Sequence, residues 1–206
     1  MFSAPKKALA ALLVAPALAF VPAACATPTT ATQAATPAAV PQAAVPAAAA
    51  ITEADVIAAQ NAWGSALVAI ATAYDTKGYD DARKVAEGVI DSAYGYAMVP
   101  VLFKPTLAAP PTTFRTTRDG ALAYFVGQDA NYPGDSGFAL KGWRSFEIDN
   151  AAIFIDGDTA ISMGNVHLTD KDGNKTTVDK TWGWTLGDDG KMKIVLHHSS
   201  LPYNAN

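Results

Sequence analysis

The sequence predicts an α+β domain on two observations. Between Val56 and Tyr96, apolar residues recur every three or four positions, the period of a helix face. From Trp143 onward, strand-like runs are separated by Asp156-Gly157, Asp172-Gly173 and Asp189-Gly190. Asp-Gly between apolar runs is among the strongest short-range hairpin signals. Helices followed by an antiparallel meander is an α+β pattern.

Each element has its own signature. Thr52-Glu-Ala-Asp55 reads as a capping box with Asp in place of Glu, and Val56, Ala59, Trp63, Leu67, Ile70 and Tyr74 continue it as a long first helix ending at Gly78. Ala82, Val85, Val89, Ala93 and Tyr96 mark a second, shorter helix. A short strand is predicted over Val99–Thr106, before Pro110-Pro111. Thr117 caps a third helix from Arg118 to about Val126, stopped by Gly127. Strands follow at Trp143–Ile155, Thr159–Thr169, Thr176–Leu186 and Met192–Ser200.

The N-terminal quarter has a different composition. Lys6 and Lys7, an apolar stretch from Ala8 to Val21 and Ala24-Cys25-Ala26 make residues 1–26 a secretory signal peptide. The stretch is too short for a membrane span and is broken by Pro16. Residues 27–50, almost wholly Ala, Pro, Thr, Gln and Val, lack the aromatic groups a core requires and read as a tether. A single domain is expected over 51–206. Export to the periplasm follows, and cleavage near Thr27 removes Cys25, the chain's one cysteine. Thiolate metal sites, disulfides and cysteine nucleophiles are then excluded. The alternative is a lipoprotein anchored through Cys25, for which Pro22 makes a poor signal. The net charge of −4 becomes −6 once Lys6 and Lys7 are lost, and no basic run follows, which argues against nucleic acid and anionic membranes as partners.

The chemistry-bearing residues gather near the C-terminus, in Lys193-Ile-Val-Leu-His-His-Ser-Ser-Leu-Pro-Tyr203. On a strand, alternation sends His197 and Ser199 to one face and His198 and Ser200 to the other. Ile194 and Leu196 share parity with His198, so alternation alone does not choose the site face. Adjacent histidines diverge and cannot readily share a metal ion, and His167 lies on another strand. Asp170-Lys-Asp-Gly-Asn174 resembles a calcium loop but lacks the distal Glu, and a hairpin turn accounts for it. Lys104 and Thr106 close an apolar strand, Tyr124 lies on the third helix, and Arg115 reads as an ion-pairing residue.

The ordered set VLFKPT, FRTT, GALAYFVG, GFAL, MGN and HHSSLPY, spread over about Ile51 to Tyr203, resembles the iota-class carbonic anhydrases. That family is similar to the association domain of calmodulin-dependent kinase and to nuclear transport factor 2. The resemblance implies a cone-shaped barrel, a bent antiparallel sheet wrapped around a long N-terminal helix. It also implies a homodimer that interconverts carbon dioxide and bicarbonate, with no cofactor. Zinc or another divalent metal is the alternative. The polar pocket carries over onto Thr106, Tyr124, His197 and Ser199. The hydroxyls would hold bicarbonate and order the attacking water, His197 would move the proton, and His198 and Ser200 would brace the site. Two rival readings stand beside it. An isomerase or cyclase of the same fold needs a pocket carboxylate, for which Glu147 and Asp179 are the candidates. A non-catalytic dimerising ligand-binding domain needs none.

Overall fold

Residues 50–204 are described by a computed structural model. The signal segment, Cys25 and all but the last residue of the tether lie outside them. The first helix, α1 (Glu53–Lys77), starts as its sequence dictates. Thr52 Oγ1 accepts from the Asp55 backbone N–H, and the Asp55 carboxylate accepts from the Thr52 N–H, so two otherwise orphaned donors are satisfied. Gly78, at φ +89°, ends the helix. Although α1 is long and apolar enough to cross a membrane by composition, Val56, Trp63, Leu67 and Ile70 on it are core residues. The second helix, α2 (Tyr79–Ala93), buries Ala82, Ala86 and Ile90. Tyr96, the last member of its predicted stripe, lies beyond the helix end.

The predicted strand over Val99–Thr106 shrinks to β1 (Leu102–Lys104). Pro100 and Pro105, which cannot donate to a ladder, bracket it. The third helix, α3 (Arg118–Val126), is capped by Thr117 and ends at Gly127, as its sequence predicts. Four long strands complete the domain: β2 (Trp143–Asp156), β3 (Thr159–Asp170), β4 (Lys175–Leu186) and β5 (Met192–Ser200). Gly157, Gly173 and Gly190 sit in the three hairpin turns with positive φ.

The sheet runs β1-β5-β4-β3-β2. The four long strands pair antiparallel, but β1 joins β5 in parallel, so the sheet is mixed. It is also open, with β1 and β2 as its edges, rather than a closed barrel. Helix α1 packs on β2, and the close approach needs Gly64: a Cβ there would strike the Phe146 ring.

A bulge decides which face carries the polar residues. On β5, Leu196 pairs with Gly183 and Ile194 with Trp184, which leaves Val195 unpaired. One extra residue reverses the alternation. Ile194 therefore faces the core N-terminal to the bulge, and His197 and Ser199 face it C-terminal to the bulge.

Candidate active site

Strand β5 carries His197 and Ser199 inward, each 1% exposed, among aromatic side chains. The Phe103 ring of β1, register partner of His197, stacks on the imidazole at 4.4 Å between ring centres. Trp182 of β4 pairs with His197 from the other side, and Trp63 of α1 meets the imidazole edge-on at 5.5 Å. Phe103 also contacts the Tyr124 ring of α3 at 5.6 Å. Phe103 thus lies between the imidazole and the phenol, and the wall of the site is built from three strands and two helices.

Thr106, just past β1, brings Oγ1 to 2.6 Å from Ser199 Oγ. Lys104 Nζ donates to the Ser199 carbonyl at 2.9 Å and ties the same segment to the end of β5. The Tyr124 hydroxyl is buried and makes no hydrogen bond within the described residues. Burial pushes the phenol well above its ordinary pKa, and the neighbouring Thr106 side chain and the Leu107 and Thr106 backbone oppose this only in part. Tyr124 is therefore a neutral hydroxyl beside Thr106 and Leu107, with no partner at full hydrogen-bond geometry among the described residues. Of the four residues named from the sequence, His197 and Tyr124 flank Phe103, Thr106 meets Ser199, and Thr106 neighbours Tyr124.

Both His197 nitrogens are already engaged. Nδ1 lies 2.9 Å from the Tyr94 hydroxyl and Nε2 lies 2.7 Å from Lys180 Nζ. Trp63 Nε1 donates to Tyr94 Oη at 3.1 Å and extends the chain to α1. Burial, then the Lys180 amine, drives the His197 pKa well below its usual value, so the ring is neutral at physiological pH. Lys180 and Tyr94 were not foreseen. A signal for Lys180 exists in the sequence: Val178, Lys180, Trp182 and Trp184 share one parity on β4, and all are buried.

The expected bracing by His198 is not what the structure has. His198 is exposed on the outer face, and its side chain makes no hydrogen bond within the described residues. Arg115 does form an ion pair, but a buried one: its Nη2 reaches both Asp135 oxygens at 2.8 and 2.9 Å. His167 bonds Thr177 and Asp149 on the outer side, apart from His197. The Asp170–Asn174 stretch is a turn, with Asp170 accepting from the backbone of Asp172 and Asn174. Glu147 is exposed, and Asp179 faces away from Lys180 and accepts from Asn165 at 2.8 Å. Neither candidate carboxylate is buried, and the buried Asp135 side chain is tied to Arg115, so the isomerase reading lacks a free base among the described residues. A small apolar cavity bounded by Trp63, Leu67, Ile90, Tyr94 and Phe125 lies behind the His197 wall.

Comparison with known proteins places the chain in a family. A family described as metal-independent carbonic anhydrase matches residues 54–201. A metal-independent carbonic anhydrase from Nostoc sp. (strain PCC 7120) is 66% identical over 154 residues, 75% of each chain. The crystal structure of an iota-carbonic anhydrase from a cyanobacterium, complexed with bicarbonate, superposes with a TM-score of 0.75 at 65% identity, covering 76% of this chain and 95% of that one. A calcium/calmodulin-dependent protein kinase II association domain from Xanthomonas campestris gives a TM-score of 0.49 at 24% identity, covering 79% and 95%.

Proposed function

Since the chain belongs to the metal-independent carbonic anhydrases, we propose that its hydration of carbon dioxide to bicarbonate takes place at Thr106, Tyr124, Ser199 and His197. The observation that carries the assignment is the hydroxyl cluster, in which half-buried Thr106 touches buried Ser199 and the buried Tyr124 hydroxyl lies beside Thr106. When water attacks carbon dioxide, negative charge grows on the two original oxygens. Preformed hydroxyl donors in a site that excludes water stabilise that charge without reorganising. Bicarbonate, the product, presents the same oxygens to the same donors. His197 is held neutral and is the group that moves the proton.

The family works without a metal ion. Stopped-flow hydration assays on protein treated exhaustively with chelator should therefore match untreated protein. Loss of activity on chelation, restored by zinc, would overturn the assignment of the chemistry to the hydroxyls.

A homodimer is supported by the outer sheet face. Phe154, Ile161, Gly183, Leu196 and Leu102 pair in one row across all five strands, with Phe154 62% and Leu102 61% exposed. An apolar row of that length on an exposed sheet face suits a second copy of the same face. Light scattering of Phe154→Glu/Leu102→Glu should find a monomer where the parent is a dimer. Export to the periplasm is supported by the basic and apolar pattern of residues 1–26 and is tested by an N-terminus near Thr27 in the exported protein.

A further inference from the structure

Lys180 is 3% exposed, and among the described residues its amine has one hydrogen-bond partner, His197 Nε2. A lysine this deep is almost always paired with a carboxylate. None pairs with it among the described residues, and burial alone lowers its pKa to about 7. The faces of Trp63 and Trp182, 4.3 and 5.3 Å from Nζ, offset part of the cost of the charged form. Both protonation states are thus within reach near neutral pH.

Donor accounting selects between them. Trp63 Nε1 can only donate, so Tyr94 Oη accepts. The Tyr94 proton then has one partner at hand, His197 Nδ1. If Tyr94 donates there, Nε2 carries the ring proton and Lys180 must accept it as a neutral amine. If Lys180 is instead an ammonium, it donates to Nε2. The ring proton then moves to Nδ1, and the buried Tyr94 hydroxyl proton loses its acceptor. Either way two Nζ–H donors meet only the Trp63 and Trp182 rings, but the second arrangement also strands the Tyr94 proton, an unsatisfied donor that costs free energy in the interior.

We propose that Lys180 is a positioning residue for the hydration reaction: as a neutral amine it accepts the His197 Nε2–H, and the His197–Lys180 pair stores the proton that hydration releases. This rests on the reading of His197 as the group that moves the proton. On uptake of one proton, Tyr94 passes its own proton to Nδ1 and takes the incoming one. The ring gives its Nε2 proton to Lys180 Nζ. His197 ends neutral as the other tautomer, and Lys180 ends as the ammonium. The titratable groups around the pair are Tyr94 after α2, Tyr96 beside it, Tyr124 of α3 and His198 on β5. Burial holds the pKa of Tyr94 far above its ordinary value, so it relays a proton without ionising.

The test is nitrogen-15 NMR of histidine-labelled protein, with His167→Gln and His198→Ala used for assignment. From pH 8.5 to pH 6, His197 should change from the Nε2–H to the Nδ1–H tautomer without becoming imidazolium. A ring that is Nδ1–H throughout, or that does not change, overturns the proposal. Because this uses the parent chain, it decides even if Lys180 variants fold poorly. Lys180→Met should lower turnover roughly a hundredfold and remove the rise of the rate through pH about 7. Added imidazole should restore part of it, which would not repair a packing defect. Lys180→Arg imposes a permanent charge and cannot accept a proton, so it should behave like Lys180→Met, whereas parent-like rates and pH profiles in both variants would overturn the proposal. A parent protein without hydration activity, but with the tautomer change intact, would overturn the activity reading and leave the Lys180 pairing standing.

Discussion

Thr106 Oγ1 and Ser199 Oγ lie 2.6 Å apart, with one hydroxyl just past the end of β1 and the other near the end of β5. Only one proton can occupy that contact, so the other hydroxyl is free to donate to a substrate oxygen. The pair is thus a donor–acceptor unit, and removing either member should have the same effect. Ser199→Ala and Thr106→Val should each lower turnover about tenfold to a thousandfold, the range for a lost oxyanion donor. The double variant should fall little further than either single, because the two hydroxyls act together. Additive losses in stopped-flow hydration would show that they work separately.

Tyr124→Phe separates chemistry from stability. The hydroxyl is buried with no hydrogen-bond partner among the described residues, so deleting it relieves an unsatisfied group and should leave the melting temperature unchanged or slightly raised. Turnover should fall about tenfold to a thousandfold. Lower stability with unchanged turnover would mean that the hydroxyl serves the fold.

The two adjacent histidines should respond in opposite ways. His198 is exposed and unbonded, and His198→Ala should change stability by no more than about 0.5 kcal/mol. His197→Ala strips a partner from both Tyr94 and Lys180 in the interior. Each orphaned group costs about 1–3 kcal/mol, so chemical denaturation should show a loss of several kcal/mol along with the loss of activity. Equal effects at the two positions would place the inner face wrongly.

The hairpins, the Thr52 and Thr117 caps and the glycine stops were legible in the sequence because each is a local device: a few neighbouring residues determine the backbone. The orientation of His197 was not local. Strict alternation groups Ile194 with His198, and only the bulge at Val195, set by pairing with Gly183 and Trp184, turns both Ile194 and His197 inward. The parallel addition of β1 to β5 escaped for the same reason, since nothing within Leu102–Lys104 specifies its partner. Lys180 was within reach through its parity with Val178 and Trp182. Its role was not, because the link to Tyr94 and Trp63 joins residues from three separate parts of the chain.

Lys180 should also leave its mark on stability against pH. Its pKa is about 7 in the folded protein, against an ordinary 10.5. Above the ordinary value the amine is neutral in both states and costs folding nothing through its charge. Between the two values, folding must remove a proton that the unfolded chain keeps, so stability falls as pH falls. Below about 7 the amine is charged in both states and the loss is complete. Folding stability should therefore rise with pH from about 7 to 10 with a slope near one proton, about 1.4 kcal/mol per pH unit. The buried Tyr94 and Tyr124, whose pKa values burial raises, act in the opposite sense only at higher pH. Denaturant melts of the parent and of Lys180→Met across that window measure the difference directly. The variant should lose the slope, and a slope that survives the substitution would assign the proton to another group.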